Sequence, residues 1–402
     1  MRKHLLLLIA LVIGSTGACP AQDQKQVETV AGRLMELYEK AGKAASEQNY
    51  ATAERLWKQM LRENQKLPEA IRAKEGLHLG ASYYNLACLQ ALQQKKSAAL
   101  RSFELAYRHG YDNYRHTLKD TDLDNLRAEK RFQAILEKMK EVDFLTILQR
   151  APGYAPSQQR DTLRRFTYQH PNDSNLVRVR EYFKLDSVAG SGDELSKIKR
   201  ILTYIHNLIA HDGNHENPPV RNAIGLARAC ADGSRGLNCR GLAIILNECY
   251  LSMGWKARVV TGMPKVYLTD CHAFNTVYSH TLDKWLWVDP TFNAWVMDEG
   301  GNLLSIREVR QRLRDNLPVV LNAEANQNNR RKSTEENYLY TYMAKNLYYV
   351  NCRLRSEYNA EGMPYIRENY INLMPVGFTV EREQGTTLIH DEDWFWQSPY
   401  SD

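Results

Sequence analysis

The stretch GLNCRGLAIILNECYLSMG, residues 236–254, decides how this chain is read. Gly236-Leu237-Asn238 has turn chemistry, and the run after it is apolar at helical spacing. Counting from Cys239, positions 242, 246, 249 and 253 are Leu, Leu, Cys and Met, on one face of a helix. The spacing therefore predicts a helix that opens on Cys239 and carries Cys249 in its middle. The two thiols are different chemical objects. The first turn of a helix carries partial positive charge, which favours a thiolate there and not mid-helix. Cys239 also heads the inward stripe, so its sulfur is expected to face whatever packs on the helix.

Past Gly254 the period changes from helical to extended. WKARVVTG (255–262) is a β-branched run, CHAFNTVYS (271–279) alternates, TLDK is a tight turn, and WLWVDP (285–290) is a return strand. Helix, strand and hairpin in that order predict an α+β fold, one central helix packed on an antiparallel sheet. His272 opens the second strand and Asp289 closes the third. An antiparallel hairpin sets the start of one strand beside the end of the next. Histidine and acid are thus expected to meet, opposite Cys239. A nucleophile, a base and an acid that holds the imidazole tautomer would make a Cys239–His272–Asp289 triad.

These segments together resemble the transglutaminase-like superfamily of papain-type fold. The pattern is a cysteine opening a helix, with Ala243 four residues on and Gly254-Trp255 ahead of a strand ending in Val260-Thr261-Gly262. His272 then opens the next strand, and Trp285 to Asp289-Pro290 completes the likeness, which spans about residues 190–310. It implies a papain-like core and acyl transfer or hydrolysis at amide or peptide bonds through a thioester. It also implies an oxyanion donor upstream of the cysteine, for which Asn238, His211 and Asn214 are candidates beside the Cys239 backbone N–H. Trp255 is a candidate substrate contact. Leu237-Asn238 stands where the commonest family form has Gly-Val or Gly-x. Water as acceptor would make a protease, amidase or deamidase, and a lysine-like amine would make a cross-linker. The alternative is a catalytically inactive scaffold that binds envelope peptides or a protein partner.

Blander readings stand beside these. Cys239 could be a plain core thiol, or paired with Cys271 in a disulfide. His211, Asp212, His215 and Glu216 could hold a metal, although HDGNHEN lacks the spacing of known zinc motifs. Trp285, Trp287 and Trp295 read as core or groove walls, and NNRRK (328–332) as a solvated loop. The sequence shows no Gly-rich phosphate loop and no EF-hand calcium loop, and no cofactor or metal is expected.

Upstream, residues 25–145 read as all helix, and they repeat. NYATAERLWKQML (49–61) aligns with KKSAALRSFELAY (95–107), so that Ala53 falls on Ala99, Arg55 on Arg101 and Trp57 on Phe103. The offset of 46 residues is a tetratricopeptide period of about 34 residues plus an insertion. The region resembles a degenerate pair of such repeats, the alternative being a generic helical bundle. Two repeats are short for a solenoid, so they are expected to lean on the next domain and to offer a surface for a protein partner. Residues 150–190, with Pro152, Pro156 and Pro171, read as a linker. Ser191 to Glu194 has the form of a capping box, opening a helix that runs to about His211. After the polar run 322–334, YLYTYMAKNLYYV reads as helix and the aromatic tail, ending in DEDWFWQSPY, as an extension with short strands between. The expected division is 1–21 signal, 22–145 helical repeats, 146–320 catalytic core, and 321–402 a helix and aromatic-rich extension packed on that core.

The N-terminus has the form of an export signal: Arg2, Lys3 and His4, an apolar run from Leu5 to Ile13, then small residues. Thr16-Gly17-Ala18-Cys19 resembles a bacterial lipobox with Cys19 as the lipidated residue; the alternative is cleavage after Ala21. The expected location is the periplasm or an outer-membrane or cell-surface lipoprotein, with at most a lipid anchor to the membrane. Peptides, proteins or peptidoglycan stem peptides would be the substrates within reach. The formal net charge of +6 falls to +4 without the signal, too mild for a dedicated nucleic-acid binder. The six remaining cysteines (88, 230, 239, 249, 271, 352) show no CxxC and are too sparse for a disulfide scaffold.

Overall fold

In a computed structural model of the chain, the described residues are 21–68, 72, 79–155, 164–267, 270–362, 370–380 and 386–400. Cys19 and nearly all of the expected signal lie outside them. No helix among the described residues is long and apolar enough to cross a membrane. The chain falls into two compact units, Met1–Asp143 and Phe144–Asp402.

The first unit is helical and consistent with helical repeats. Helices α1 (Ala21–Ser46), α2 (Tyr50–Gln65), α3 (Leu79–Leu92) and α4 (Lys96–Arg108) pack each on the next. The aligned positions agree in burial: Ala53 and Ala99 are both fully buried, as are Trp57 and Phe103, while Arg55 and Arg101 are exposed. Cys88 is buried in the core formed around α3 and α4, where burial pushes its thiol up.

The second unit is built around one helix and one sheet. Helix α5 (Glu194–Leu208) starts at Asp193, whose carboxylate caps the Ser196 N–H at 2.9 Å. The capping box expected between Ser191 and Glu194 does not form. Glu194 is instead the first residue of the helix, and its carboxylate is drawn across to the turn between the second and third strands. There it accepts Ser279 Oγ (2.6 Å) and the His280 and Thr281 amides (3.0 and 2.9 Å), and also Trp255 Nε1 at 3.1 Å. Four donors outbid one local cap.

Helix α6 (Cys239–Ser252) is buried from Gly241 to Ser252 on every side, so the inward stripe is only part of its contact surface. It packs on strands β1 (Ala257–Met263) and β2 (His272–Ser279), and β3 (Lys284–Val288) completes the expected hairpin. The sheet does not stop there. The stretch past 320, expected to be an extension on a finished core, supplies β4 (Tyr349–Arg353), β5 (Tyr370–Leu373) and β6 (Thr387–Ile389). The order is β6-β5-β4-β1-β2-β3, antiparallel except for the β5–β6 pair. Half of the strands are therefore C-terminal. Only the end of YLYTYMAKNLYYV departs from helix, as β4; its start lies in a π-helix, Glu335–Met343, opened by a Thr334–Asn337 capping box.

Candidate active site

Two asparagines set the sulfur in place. Asn238 Oδ1 caps α6, accepting the Arg240 and Gly241 amides at 3.1 and 3.3 Å. Asn217 clamps Asn238 in turn, accepting its amide at 3.0 Å and donating to its Oδ1 at 2.6 Å. This close approach requires a glycine at 241: a Cβ there would sit 2.8 Å from Asn217 Oδ1. Leu242 N–H returns to the Asn238 carbonyl. The Cys239 N–H is thus left without a partner among the described residues, at the positive end of the helix.

On the sheet, Gly262 pairs with His272, and β3 pairs with β2 as far as Val288 opposite Asn275. Asp289, one residue further along β3, lies diagonally across from His272, a spacing that two side chains can bridge. His272 Nε2 and Asp289 Oδ2 are 2.6 Å apart, and both residues are fully buried. The other carboxylate oxygen accepts the Thr291 N–H at 2.9 Å, and Oδ2 also accepts Tyr338 Oη at 2.6 Å. Three donors thus converge on one buried carboxyl group. With Nε2 committed to the acid, His272 Nδ1 is the nitrogen left for the thiol. The Tyr342 hydroxyl lies 3.4 Å from it.

The Ala273 N–H donates to the Cys239 sulfur at 3.4 Å, and His211 and His272 both lie close enough to the thiol to favour its charged form. Burial alone would raise the thiol, but the two histidines and the positive charge of His272 outweigh it and bring the thiol to about 5. Burial would likewise lower His272; the Asp289 charge overrides that and lifts it to about 10. Both shifts run in the direction that favours thiolate and imidazolium over thiol and neutral imidazole.

His211 arrives by a short strand-like contact: it bridges Leu237 in parallel, and Asp212 N–H donates to the Leu237 carbonyl at 2.7 Å. Asn328 then clamps it, accepting its N–H at 2.7 Å and donating to its carbonyl at 2.9 Å. The other upstream candidates are placed differently. Asn214 is exposed, its amide turned to Asp212. Trp255 follows the far end of a 14-residue helix, about 20 Å from the thiol at 1.5 Å per residue. Its indole is core against Tyr250 and Glu194, so it is no substrate contact.

His215 pairs with Asp212 at 2.6 Å on the surface while His211 faces the thiol, so the four residues weighed as a metal set do not converge. Among the described residues, Cys88, Asp120 and Asp122 are the one trio of such side chains within 4.8 Å of one another. Asp120 there is already engaged by Tyr84 Oη at 2.8 Å and the Asp122 amide at 3.0 Å. The six described cysteines are free, Cys239 and Cys271 included.

Sequence reasoning missed Asn217, Tyr338 and Tyr342. The Tyr338–Tyr342 spacing of one helical turn was visible in YLYTY, but nothing local tied it to Asp289.

A cysteine on a helix N-terminus, facing a strand-borne histidine and acid, is the arrangement of papain-like cysteine enzymes. Residues 182–290 match the family model described as Transglutaminase-like superfamily, and this stretch is a transglutaminase-like domain. No curated protein and no solved structure matches the chain. The match ends at Pro290, so the tyrosines that hold the acid and face the histidine lie beyond it.

Proposed function

We propose that the second unit is a cysteine enzyme performing acyl transfer or hydrolysis at amide bonds of peptides or proteins, with Cys239 as nucleophile. The thiolate attacks the amide carbonyl carbon, forming the C–S bond. The developing oxyanion is met by the Cys239 N–H, with His211 the side chain best placed to add a second donor. As the C–N bond breaks, His272 passes its Nδ1 proton to the departing nitrogen. Water or an amine then attacks the thioester, His272 takes the proton, and C–S cleavage restores the thiolate. Asp289 holds the imidazole tautomer throughout. Export to the cell envelope would make envelope peptides and proteins the substrates within reach.

The observation that carries this reading is geometric: Cys239 opens a helix with its sulfur receiving the Ala273 N–H at 3.4 Å, and the neighbouring His272 on the same strand is anchored on buried Asp289 at 2.6 Å. The test is mass spectrometry of intact protein after limited alkylation at mildly acidic pH, followed by peptide mapping. Modification confined to Cys239, lost in Cys239→Ala without loss of fold, is expected. Equal modification of several cysteines, or none at Cys239, would support an inactive scaffold instead.

A further inference from the structure

His211 and Tyr342, both neighbours of the Cys239–His272 pair, line a cleft of about 270 Å³ together with Gln327, Arg331 and Lys332. Its size suits one or two side chains of a ligand. No acidic residue lines it. Arg331 and Lys332 come from a short hairpin, Asn326–Gln327 paired with Arg331–Lys332, turned through Asn328 and Asn329 at φ 55° each. The stretch expected as a solvated loop is thus a built element. It is pinned by Asn328 to the His211 backbone, by Asn326 to buried His206 at 3.0 Å, and by Asn329 to Asn207 at 2.8 Å. Neither Arg331 nor Lys332 has an ion-pair partner among the described residues. A second observation points the same way: Thr291 lines the cleft, is 1% exposed, and its hydroxyl has no hydrogen-bond partner. A buried hydroxyl without a partner is costly unless a ligand supplies one.

From these we infer that the cleft is a subsite for a carboxylate on the acyl-donor peptide, gripped by Arg331 and Lys332 at the rim and by Thr291 Oγ1 deeper in. This names the substrate class of the site proposed above and rests on that reading: an amide whose neighbouring residue carries a free carboxylate, from an acidic side chain or a chain terminus. Two unpartnered cations at a concave, acid-free wall favour an anion both in encounter and in the bound state.

Three electrophiles of graded charge test it: N-bromoacetyl-glutamate, its neutral counterpart N-bromoacetyl-glutamine amide, and iodoacetamide, which is too small to reach the rim. Rates of Cys239 modification are read on the full chain and on Arg331→Gln/Lys332→Gln. The acidic probe is expected to outpace the neutral one about tenfold at low salt, since two such contacts are each worth a fraction of a kcal/mol to about 1. The double variant should erase that preference and leave the iodoacetamide rate unchanged. Thr291→Val should weaken the acidic probe alone. Equal rates for the two larger probes in the unaltered chain, with iodoacetamide still reacting at Cys239, would overturn the subsite and leave the nucleophile standing. Failure of iodoacetamide to modify Cys239 would overturn the reading of the site, and the subsite with it.

Discussion

Tyr338 and His272 meet on one oxygen of Asp289: the phenol and Nε2 each lie 2.6 Å from Oδ2. The carboxylate is thereby shared between the proposed proton carrier and a phenol given no part in proton transfer. Tyr338 is itself fixed from behind, accepting Trp287 Nε1 at 3.2 Å. Its hydrogen bond to the same oxygen competes for the charge that faces His272, so it is expected to temper how firmly His272 keeps its proton.

Tyr338→Phe should free that charge. A hydrogen bond to a charged group contributes about 1.5–3 kcal/mol, so the variant should lose stability of that order in denaturant unfolding. The more telling measurement is the pH midpoint of Cys239 alkylation. With Asp289 bound to His272 alone, the imidazolium is held more tightly and the midpoint should move to lower pH. A midpoint that moves up would show that Tyr338 supports the pair instead of tempering it.

The unaltered protein has its own pH signature. A group brought to about 5 gains thiolate as pH rises through that value, and His272 stays protonated until about 10. Cys239 alkylation should therefore climb near pH 5 and run level across neutrality. An ordinary thiol, at most a few per cent ionised at pH 7, keeps climbing toward its usual range. Cys271, whose thiol burial pushes up, is the internal control and should lag behind Cys239 throughout. Parallel curves for the two cysteines would remove the case for an activated thiol.

Asp289→Asn keeps the shape of the acid and removes its charge. His272 should then lose its proton at lower pH and the Cys239 midpoint should rise toward that of an ordinary thiol. Any amide-cleaving rate should fall by roughly 10²- to 10⁴-fold, since tautomer control is lost. Far-UV circular dichroism should be unchanged. A variant that is folded and fully active would take Asp289 out of the mechanism.

Gly262→Ala addresses the scaffold. Gly262 lies beside His272 in the β1–β2 register, and a Cβ there would stand 2.4 Å from the Asn346 carbonyl oxygen. Backbone has to move, so a loss of about 1–3 kcal/mol is expected, measured by thermal or denaturant unfolding. A variant as stable as the parent would mean that the 344–346 turn yields at no cost.

What could be read from the chain was whatever local period or adjacent pairing writes down. Cys239 at a helix start, His272 at a strand start and Asp289 at the end of the return strand all follow from spacing within residues 236–290. The pairing of Tyr338 with Asp289 spans 49 residues and depends on a helix of unusual winding. Glu194 shows the converse. Its local motif pointed to a cap, and donors 85 to 87 positions away took it elsewhere. Short strands in the tail were legible, but β4 was not, because an aromatic run such as YLYTYMAKNLYYV satisfies helical and extended periods alike, and nothing local tied the three to the main sheet. Arg331 and Lys332 looked like solvated charges because a cleft wall has no sequence period of its own.

The winding of residues 335–343 gives this part of the chain a strict tally. A π-helix closes each turn from i to i+5, one residue more than an α-helix holds. It is across that enlarged turn that Tyr338 reaches Asp289 while Tyr342 comes within 3.4 Å of His272 Nδ1. Deleting a single residue between them, such as Tyr340, would let the coil tighten to α and swing Tyr342 away, although both phenols would still be present. Chain length between the two tyrosines is thus as much a component of the site as the side chains, and an alignment that scored only matched letters would overlook it.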